Sequence, residues 1–295
     1  MRVGVNLPSD SPGVSGDLLL EWARRAERGP FSTLGVTDRM AWATFEPFAM
    51  LAAASAVTRR IRLMTAIAIA PLRGGALLAK SAATVDALSG GRLTLGLGIG
   101  PREDDYAASG LDFRSRGRRL DEILEQLRPA FEGTSGLGPR TASPRGPEIM
   151  VGGLSDRAFA RLARYGDGYV HGGGPAKAFA RAAEKACAAW ADGGRPGMPR
   201  LCGQGYFAVG GEDAIARGVR SLKSYYAFLG PFSERIVAGL LTTPHALAQY
   251  ARSYADAGCD ELLLVPTVPD LDQLERLADV VTNVGLTGNA ARAAL

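Results

Sequence analysis

The residues best suited to chemistry in this 295-residue chain stand at the ends of apolar, strand-like runs. Asp38, Arg39 and His171 are polar side chains at such positions, whereas the runs that end near Gly100 and Gly153 carry glycine instead. Acids, bases and cations at strand ends can bind or protonate a substrate, and glycines there let a ligand approach the backbone. Because few of these ends carry a nucleophile, the pattern favours a site in which a bound cofactor carries the reaction.

The stretch VGGLSDRAFARLARYGDGYV (151–170) carries the clearest local signal. It predicts a strand that ends at Gly152-Gly153 and a helix whose N-cap is Ser155. The first N–H groups of such a helix have no partner within the helix and can bind an anion, and the glycines let a phosphate reach the backbone. An ordinary capped turn between a strand and a helix is the alternative interpretation of the same residues.

Other catalytic and cofactor-binding motifs are missing from the sequence. There is no HExxH, GxSxG, Walker A or EF-hand pattern, and GLGIGPRED (96–104) lacks the GxGxxG spacing of a dinucleotide-binding turn. The two histidines, His171 and His245, cannot form a metal site by themselves, and His245 at a predicted helix start is expected to be exposed. We therefore predict that the protein binds no metal.

Composition indicates a soluble protein without a nucleic-acid partner. Lys and Arg number 34 against 30 Asp and Glu, and the arginines are spread along the chain rather than gathered on one basic face. Cys187, Cys202 and Cys259 are odd in number and widely spaced, so neither a disulfide framework nor a zinc site is expected. Because the sequence shows no signal-peptide pattern and no apolar run of membrane-spanning length, we expect a cytoplasmic protein.

About eight alternating strands and helices would position these residues. The strands are predicted over 2–7, 33–38, 61–70, 92–100, 148–153, 168–172, 205–210 and 261–267. Nearly continuous apolar strands separated by helices indicate a parallel sheet, and eight such units favour a closed (β/α)₈ TIM barrel over an open doubly wound sheet. We predict one α/β domain over 1–295, with an irregular Gly- and Pro-rich excursion at 133–147.

The sequence resembles the bacterial luciferase-like family of flavin-dependent oxidoreductases. The resemblance is carried by IRLMTAIAIAPLR, by the segment from Asp86 to Arg92 and by the strand LTLGLGIG that follows, with support from GVTDR, 151–170 and AGCDELLLVPT. It implies a (β/α)₈ barrel, usually dimeric, that uses reduced FMN or the deazaflavin F420. This agrees with the barrel inferred from periodicity.

The resemblance also implies where the cofactor lies. The third strand is expected to bulge behind the flavin, with a non-prolyl cis peptide at Ala66–Ile67. The turn after the fifth strand would hold the flavin phosphate, and the glycines of the fourth strand would border the ring. The full set of residues implied at the cofactor comprises Thr65, Ala66, Ile67, Gly98, Gly100, Gly152, Gly153, Leu154 and Ser155.

Two departures from the family pattern leave the cofactor open between FMN and F420. F420-using members often have His after the Asp at the end of the second strand, where this chain has Arg39. Some FMN-using luciferases have an Arg near the end of the fourth strand, where this chain has Ile99. Arg73 or Arg102 could replace that arginine at the phosphate. We favour FMN.

The resulting hypothesis is a luciferase-like monooxygenase that uses reduced FMN and O₂ on a small organic substrate. F420-dependent hydride transfer on the same fold is the alternative, and a non-catalytic flavin-binding protein is an alternative of another class. The resemblance implies a homodimer, and a separate flavin reductase could supply reduced FMN. If a side chain assists the reaction, the candidates are Asp38, Arg39 and His171, with Tyr106 in the loop behind them. Asp38 and Arg39 could equally serve the fold, Arg39 by pairing with Asp38.

Overall fold

The fold is a closed barrel of eight parallel strands, seen in a computed structural model that describes residues 1–285. The order of the strands around the barrel follows the chain, and the last strand pairs with the first. The predicted (β/α)₈ barrel is therefore confirmed. The strands are β1 Arg2–Asn6, β2 Thr33–Val36, β3 Arg62–Ile69, β4 Leu93–Gly98, β5 Glu148–Gly152, β6 Gly168–Val170, β7 Arg200–Phe207 and β8 Glu261–Pro266.

Helices alternate with the strands and extend some of the loops. They are α1 Gly16–Arg28, α2 Pro47–Val57, α3 Gly75–Ser89, α4 Glu103–Ala108, α5 Arg116–Phe131, α6 Asp156–Tyr165, α7 Ala176–Asp192, α8 Glu212–Tyr225, α9 Ser233–Ala238, α10 Pro244–Asp256 and α11 Leu271–Asn283. Ser15, Ser155 and Thr243 cap the helices that follow them by accepting hydrogen bonds from first-turn amides. None of the helices within 1–285 combines the length and the apolar character needed to cross a membrane.

Strand residues divide between two buried layers because both faces of a parallel barrel are covered. Leu34, Leu63 and Leu95 are fully buried in the large core between strands and helices. Met64 and Met150 belong to a smaller apolar cluster inside the barrel. The side chains that point into the barrel at the ends of the strands therefore meet one another.

Strand β7 begins at Arg200, so the predicted strand over 205–210 starts five residues too late and extends too far. Two glycines interrupt the apolar pattern of this strand. A Cβ at Gly203 would lie 2.4 Å from the ring of Tyr254, and one at Gly205 would lie 2.7 Å from the ring of Tyr250. The glycines are therefore places where α10 packs closely on the strand. The excursion at 133–147 contains neither a helix nor a strand.

The N-terminal ends of the strands carry a buried ionic network inside the barrel. Glu261 on β8 is fully buried and pairs with Arg200 on β7, which also pairs with Glu148 on β5. The hydroxyl of Thr33 donates to Glu261 at 2.7 Å. Although burial raises the pKa of Glu261, the nearby arginines and hydroxyls lower it below its ordinary value. In barrels of this kind this end contributes stability, whereas function belongs to the opposite end.

Candidate functional site

A cavity of about 500 Å³ opens at the C-terminal ends of the strands. It lies between the barrel mouth and the segment that contains α8, α9 and the 3₁₀ turn Ala227–Phe232. A larger depression between α6 and α7 lies on the outer surface, away from the strand ends. Since TIM-barrel enzymes place their chemistry at the C-terminal face, the cavity at the barrel mouth is the candidate site.

Most of the residues expected at the site line this cavity. Four others do not line it: Thr65, Tyr106, Ser155 and His171. The expected residues that do line it are Asp38, Arg39, Ala66, Ile67, Gly98, Gly100, Gly152, Gly153 and Leu154. Nine of the thirteen residues proposed from the sequence therefore line one cavity.

Strand β3 has the bulge and the cis peptide expected from the family resemblance. The peptide bond between Ala66 and Ile67 is cis, and the pairing of β3 with β4 shifts register between Thr65 and Ala68. The Thr65 hydroxyl donates to the Gly96 carbonyl at 2.7 Å, which fixes the bulge to β4. Both structural predictions are confirmed, and Thr65 supports the cavity floor from beneath.

The glycines of β4 and β5 make room first for the β3 bulge. A Cβ at Gly96 would lie 2.1 Å from the Thr65 carbonyl oxygen. Cβ atoms at Gly98 and Gly152 would lie 2.3 and 2.7 Å from Cδ1 of Ile67. The side chain of Ile67 therefore occupies the space beside these glycines, where the family resemblance implied the flavin ring. Any flat ligand in the cavity would rest on Ile67 rather than directly on these glycines.

Asp38 is held by Arg73 and not by Arg39, so the expected pairing of Asp38 with Arg39 is wrong. Nη1 and Nη2 of Arg73 donate to the two carboxylate oxygens of Asp38 at 2.5 and 3.1 Å. The amide of Ile69 donates to the same carboxylate at 2.7 Å, and Arg73 also pairs with Glu46. Asp38 and Glu46 both hold the Arg73 side chain, which does not line the cavity. Arg73 therefore does not replace the arginine that some FMN-using luciferases carry for the phosphate.

Arg39 is paired instead with carboxylates of α4, the short helix after β4. Its Nε donates to the carboxylate of Asp105 at 2.9 and 3.1 Å, and its Nη2 donates to Asp104 at 3.2 Å. Only 3 % of the side chain is exposed, and its Nη1 has no hydrogen-bond partner among residues 1–285. The guanidinium lies 5.4 Å from the ring centre of Trp42 and 5.3 Å from that of Tyr225. Its position is thus fixed, with one donor group left unused.

An aromatic wall faces the barrel mouth from the segment after β7. Tyr225, Tyr226 and Phe228 line the cavity together with Tyr206 of β7, whose hydroxyl is hydrogen-bonded to that of Tyr226. Burial raises the pKa of Tyr206, Tyr225 and Tyr226, so these phenols stay protonated at neutral pH. Arg102 packs its guanidinium against this wall, 3.9 Å from the ring centre of Phe228.

Sequence reasoning missed this aromatic wall, although a signal existed. The segment SYYAFLGPF (224–232) concentrates four aromatic residues in a run without strand or helix periodicity. Such a run after a barrel strand is typical of a binding loop. Gln204, whose side-chain amide donates to the Ala66 carbonyl at 3.3 Å, carried no signal because it is a single polar residue within a strand.

His171 points away from the cavity, so the expectation that it faces the site is wrong. Its ring packs against Phe179 of α7 and Tyr169, with Nδ1 3.3 Å from the Tyr169 hydroxyl. Burial lowers its pKa, so the buried ring is neutral at pH 7. The neighbouring Val170 points into the barrel, and the alternation of strand side chains sends His171 to the helix layer. His245 is exposed, as predicted.

Tyr106 lies behind the cavity wall rather than in the cavity. It is 1 % exposed and packs with Ile69 and Leu72, and its ring meets that of Phe113 edge to face. Its hydroxyl donates to the carbonyl of Ile99. Burial raises its pKa to about 12, which suits a fixed hydrogen-bond donor. Tyr106 therefore holds the loop after β4 in place.

The turn between β5 and α6 has the geometry expected of an anion site. Gly153 has φ +134°, a conformation that L side chains rarely adopt, and it lines the cavity. Ser155 caps α6 by accepting a hydrogen bond from the amide of Ala158 at 3.3 Å. Gly152, Gly153 and Leu154 line the cavity, and α6, whose first amides could serve an anion, begins two residues later at Asp156.

Arg116 at the start of α5 is a cavity-lining cation that sequence reasoning missed. Its guanidinium stacks on Phe113, 3.7 Å from the ring centre, and its Nη1 donates to the Phe113 carbonyl at 2.8 Å. Its Nε is buried without a hydrogen-bond partner in the described part of the chain. The neighbouring residue Gly117 accepts a hydrogen bond from Arg161, so the start of α5 contacts α6. Arg116 lines the cavity, whereas Arg73 does not.

Comparison with known proteins identifies the family. The model of the family described as luciferase-like monooxygenase matches residues 1–265. An uncharacterised protein of Mycobacterium tuberculosis is 39% identical over 140 residues, 44% of this chain and 48% of the relative. The F420-dependent glucose-6-phosphate dehydrogenase of Kribbella flavida is 29% identical over 193 residues, 58% and 57% of the two chains. The chain thus spans about half the length of these curated relatives.

Solved structures share the same fold. The monooxygenase RslO1 from Streptomyces bottropensis superposes with a TM-score of 0.76 at 18% identity, over 96% of this chain and 98% of the other. At this identity the likeness concerns the fold.

Proposed function

We propose that this chain, which belongs to the luciferase-like monooxygenase family, is an oxidoreductase that uses reduced FMN and O₂ to oxygenate a small organic substrate. The observation that carries the proposal is the cavity at the barrel mouth, which joins the bulged floor of β3 to the anion-binding turn before α6. A flavin needs both features, a flat apolar floor for its ring system and a donor set for its phosphate.

The residues present fit such a cofactor. Ile67, half-buried at the cavity floor, would contact the ring, and Gln204 lines the same region. The phosphate would accept from the amides at the start of α6, close to the turn at Gly153, and from Arg116, whose Nε has no other partner among the described residues. When bound, reduced FMN would supply the electrons that activate O₂.

The side chains that line the cavity are suited to binding and orientation. Its carboxylate, Asp38, is fixed by Arg73, and its arginines offer only hydrogen-bond donors. The phenols of the aromatic wall also hold their protons at neutral pH, because burial raises their pKa. We infer that the wall excludes water from the bound cofactor and substrate while the cofactor carries the reaction.

F420-dependent hydride transfer is the second candidate, because relatives with either cofactor match this chain. The luciferase-like monooxygenase model covers residues 1–265, and the Kribbella dehydrogenase named above uses F420. The two are separated by anaerobic titration of the purified protein with reduced FMN and reduced F420. We expect tighter binding of reduced FMN and faster consumption of O₂ by the complex than by free reduced FMN in the presence of substrate. Tighter binding of reduced F420 would replace the monooxygenase by a dehydrogenase.

A non-catalytic flavin-binding protein would bind the cofactor in the same cavity without turnover. It predicts a tight flavin complex whose oxidation by O₂ is unchanged by any organic compound offered. We propose an enzyme because the chain belongs to the luciferase-like monooxygenase family and matches relatives that are monooxygenases and dehydrogenases. A cytoplasmic location and a separate reductase that supplies reduced FMN complete the proposal.

We propose that the partner of this chain is a second copy of itself, in a homodimer. Helix α2 has no charged residue in PFAMLAAASAV, yet Ala49, Ala53 and Ala56 are exposed. On the neighbouring α3, Leu77 and Leu88 are 62% and 61% exposed. A helix that is apolar all round is usually buried, so the face formed by α2 and α3 is the proposed dimer contact.

A further inference from the structure

Arg102 is a buried cation without a carboxylate partner among residues 1–285. It is 6 % exposed and lines the cavity, and its Nη2 donates to the carbonyl of Tyr225. Its guanidinium lies 4.5 Å from the ring centre of Tyr225 and 3.9 Å from that of Phe228. Aromatic faces stabilise a cation but do not neutralise it. A buried charge of this kind is stabilised further when an anion binds beside it.

Arg39 presents an unused donor in the same region. The ring of Tyr225 lies against both guanidinium groups, 5.3 Å from that of Arg39 and 4.5 Å from that of Arg102. Asp105 and Asp104 engage Nε and Nη2 of Arg39 and hold it in position, but its buried Nη1 has no partner in the described chain. Two fixed guanidinium groups therefore border one aromatic ring in the cavity, and one of them lacks a counter-charge.

The cofactor phosphate does not account for this cationic region. Under the proposed function the phosphate lies at the α6 turn, beside Arg116, whereas Arg39, after β2, and Arg102, after β4, pack against Tyr225 of the aromatic wall. The rings of Tyr226 and Phe228, which also line the cavity, lie 5.8 and 3.9 Å from the guanidinium of Arg102. The chemistry of the region is that of a site for one carboxylate attached to an apolar body.

We propose that Arg39 and Arg102 bind the carboxylate of an organic acid substrate, whose apolar body lies against the aromatic wall. The inference rests on the proposed function, since it assigns the substrate class of the same cavity. The carboxylate would accept hydrogen bonds from the donors of Arg102 that do not contact Tyr225, and the positive charge of Arg39 beside the same ring would add to its attraction. The carboxylates of an F420 tail are the other source of this chemistry, and the test separates them from a substrate.

The test compares a carboxylate with its neutral amide. Isothermal titration measures the binding of 2-naphthoate and 2-naphthamide to the full chain, with and without bound FMN. We expect the wild type to bind the acid at least tenfold more tightly, and Arg102→Gln to reduce this preference below threefold. Arg39→Lys keeps the charge beside Asp105 and should therefore keep the preference. Arg118→Gln, on an exposed side chain, is the matched control that keeps the preference.

Four results would overturn the substrate assignment. The first is an equal affinity of the wild type for acid and amide, and the second is an unchanged preference in Arg102→Gln. The third is competition between 2-naphthoate and FMN for binding. The fourth is that Arg102→Gln weakens the binding of F420 but not the binding of the deazaflavin without its tail. If the chain binds neither FMN nor F420 but keeps the arginine-dependent preference, the flavin proposal fails while the carboxylate site stands.

Discussion

A comparison of two variants at Gly153 isolates the effect of one negative charge at the turn between β5 and α6, where we place the phosphate. Gly153→Asp and Gly153→Asn add side chains of nearly equal size at a position with φ +134°, where a Cβ would lie 2.8 Å from that of Ala158. Both therefore share the same backbone strain and crowding, which cost about 1–3 kcal/mol of folding stability. Only the aspartate adds a negative charge beside the proposed phosphate.

The charge effect can be estimated from Coulomb's law. A carboxylate about 5 Å from a doubly charged phosphate is repelled by about 1.7 kcal/mol even at the dielectric constant of water, and by more in the partly enclosed cavity. At about 1.4 kcal/mol per tenfold change, the loss of affinity is at least tenfold. We expect Gly153→Asp to bind FMN at least ten times more weakly than Gly153→Asn.

The assay is a fluorescence titration of FMN at low ionic strength, where screening is weakest. Riboflavin, which has no phosphate, serves as the control ligand, and the two variants should bind it equally. Circular dichroism confirms that both variants fold. Equal affinities of the two variants for FMN would refute the placement of the phosphate at this turn.

Three further predictions concern stability, pH and assembly. Glu261→Gln removes the charge that neutralises Arg200 inside the barrel, and should lower the free energy of unfolding by about 3–5 kcal/mol, whereas the exposed Glu275→Gln should change it by less than about 1 kcal/mol in urea denaturation. Burial raises the pKa of Asp10 from 3.8 to about 6, so the folded state loses stability as pH rises from the unfolded value of 3.8 to about 6. Asp10→Asn should therefore raise the free energy of unfolding at pH 8 by up to about 3 kcal/mol and change it little at about pH 3, where the carboxyl is protonated in both states. An equal gain at both pH values would contradict this. Leu88→Arg should convert the dimer to a monomer in light scattering, and a monomeric wild type would refute the proposed contact.

The barrel could be predicted from sequence because its strands are apolar runs of the right length, separated by helices. The family resemblance placed the cis peptide at Ala66–Ile67, and the structure has it there. The orientation of His171 could not be predicted, since strands buried on both faces show no alternation that tells the inner face from the outer. The glycines of β4 were recognised, but the side chain that fills their space, Ile67, comes from a neighbouring strand.

The ion pairs of the site were beyond sequence reasoning for another physical reason. Asp38 pairs with Arg73, 35 residues away, and Arg39 pairs with Asp105, 66 residues away. Such pairings depend on how the segments that follow different strands meet at the barrel mouth, which periodicity does not determine. Asp38 and Arg39 are adjacent in sequence, yet Asp38 pairs with a residue after β3 and Arg39 with a residue of α4.

Binding of a flavin-type cofactor to the purified wild-type chain tests the central claim most directly. The measurement is an equilibrium titration with FMN, reduced FMN and F420, followed by absorbance and fluorescence. We expect at least one of them to bind at micromolar concentration, and Gly153→Asp to weaken that binding at least tenfold relative to Gly153→Asn. Failure of all three cofactors to bind at micromolar concentration would contradict the claim that the chain binds a flavin-type cofactor.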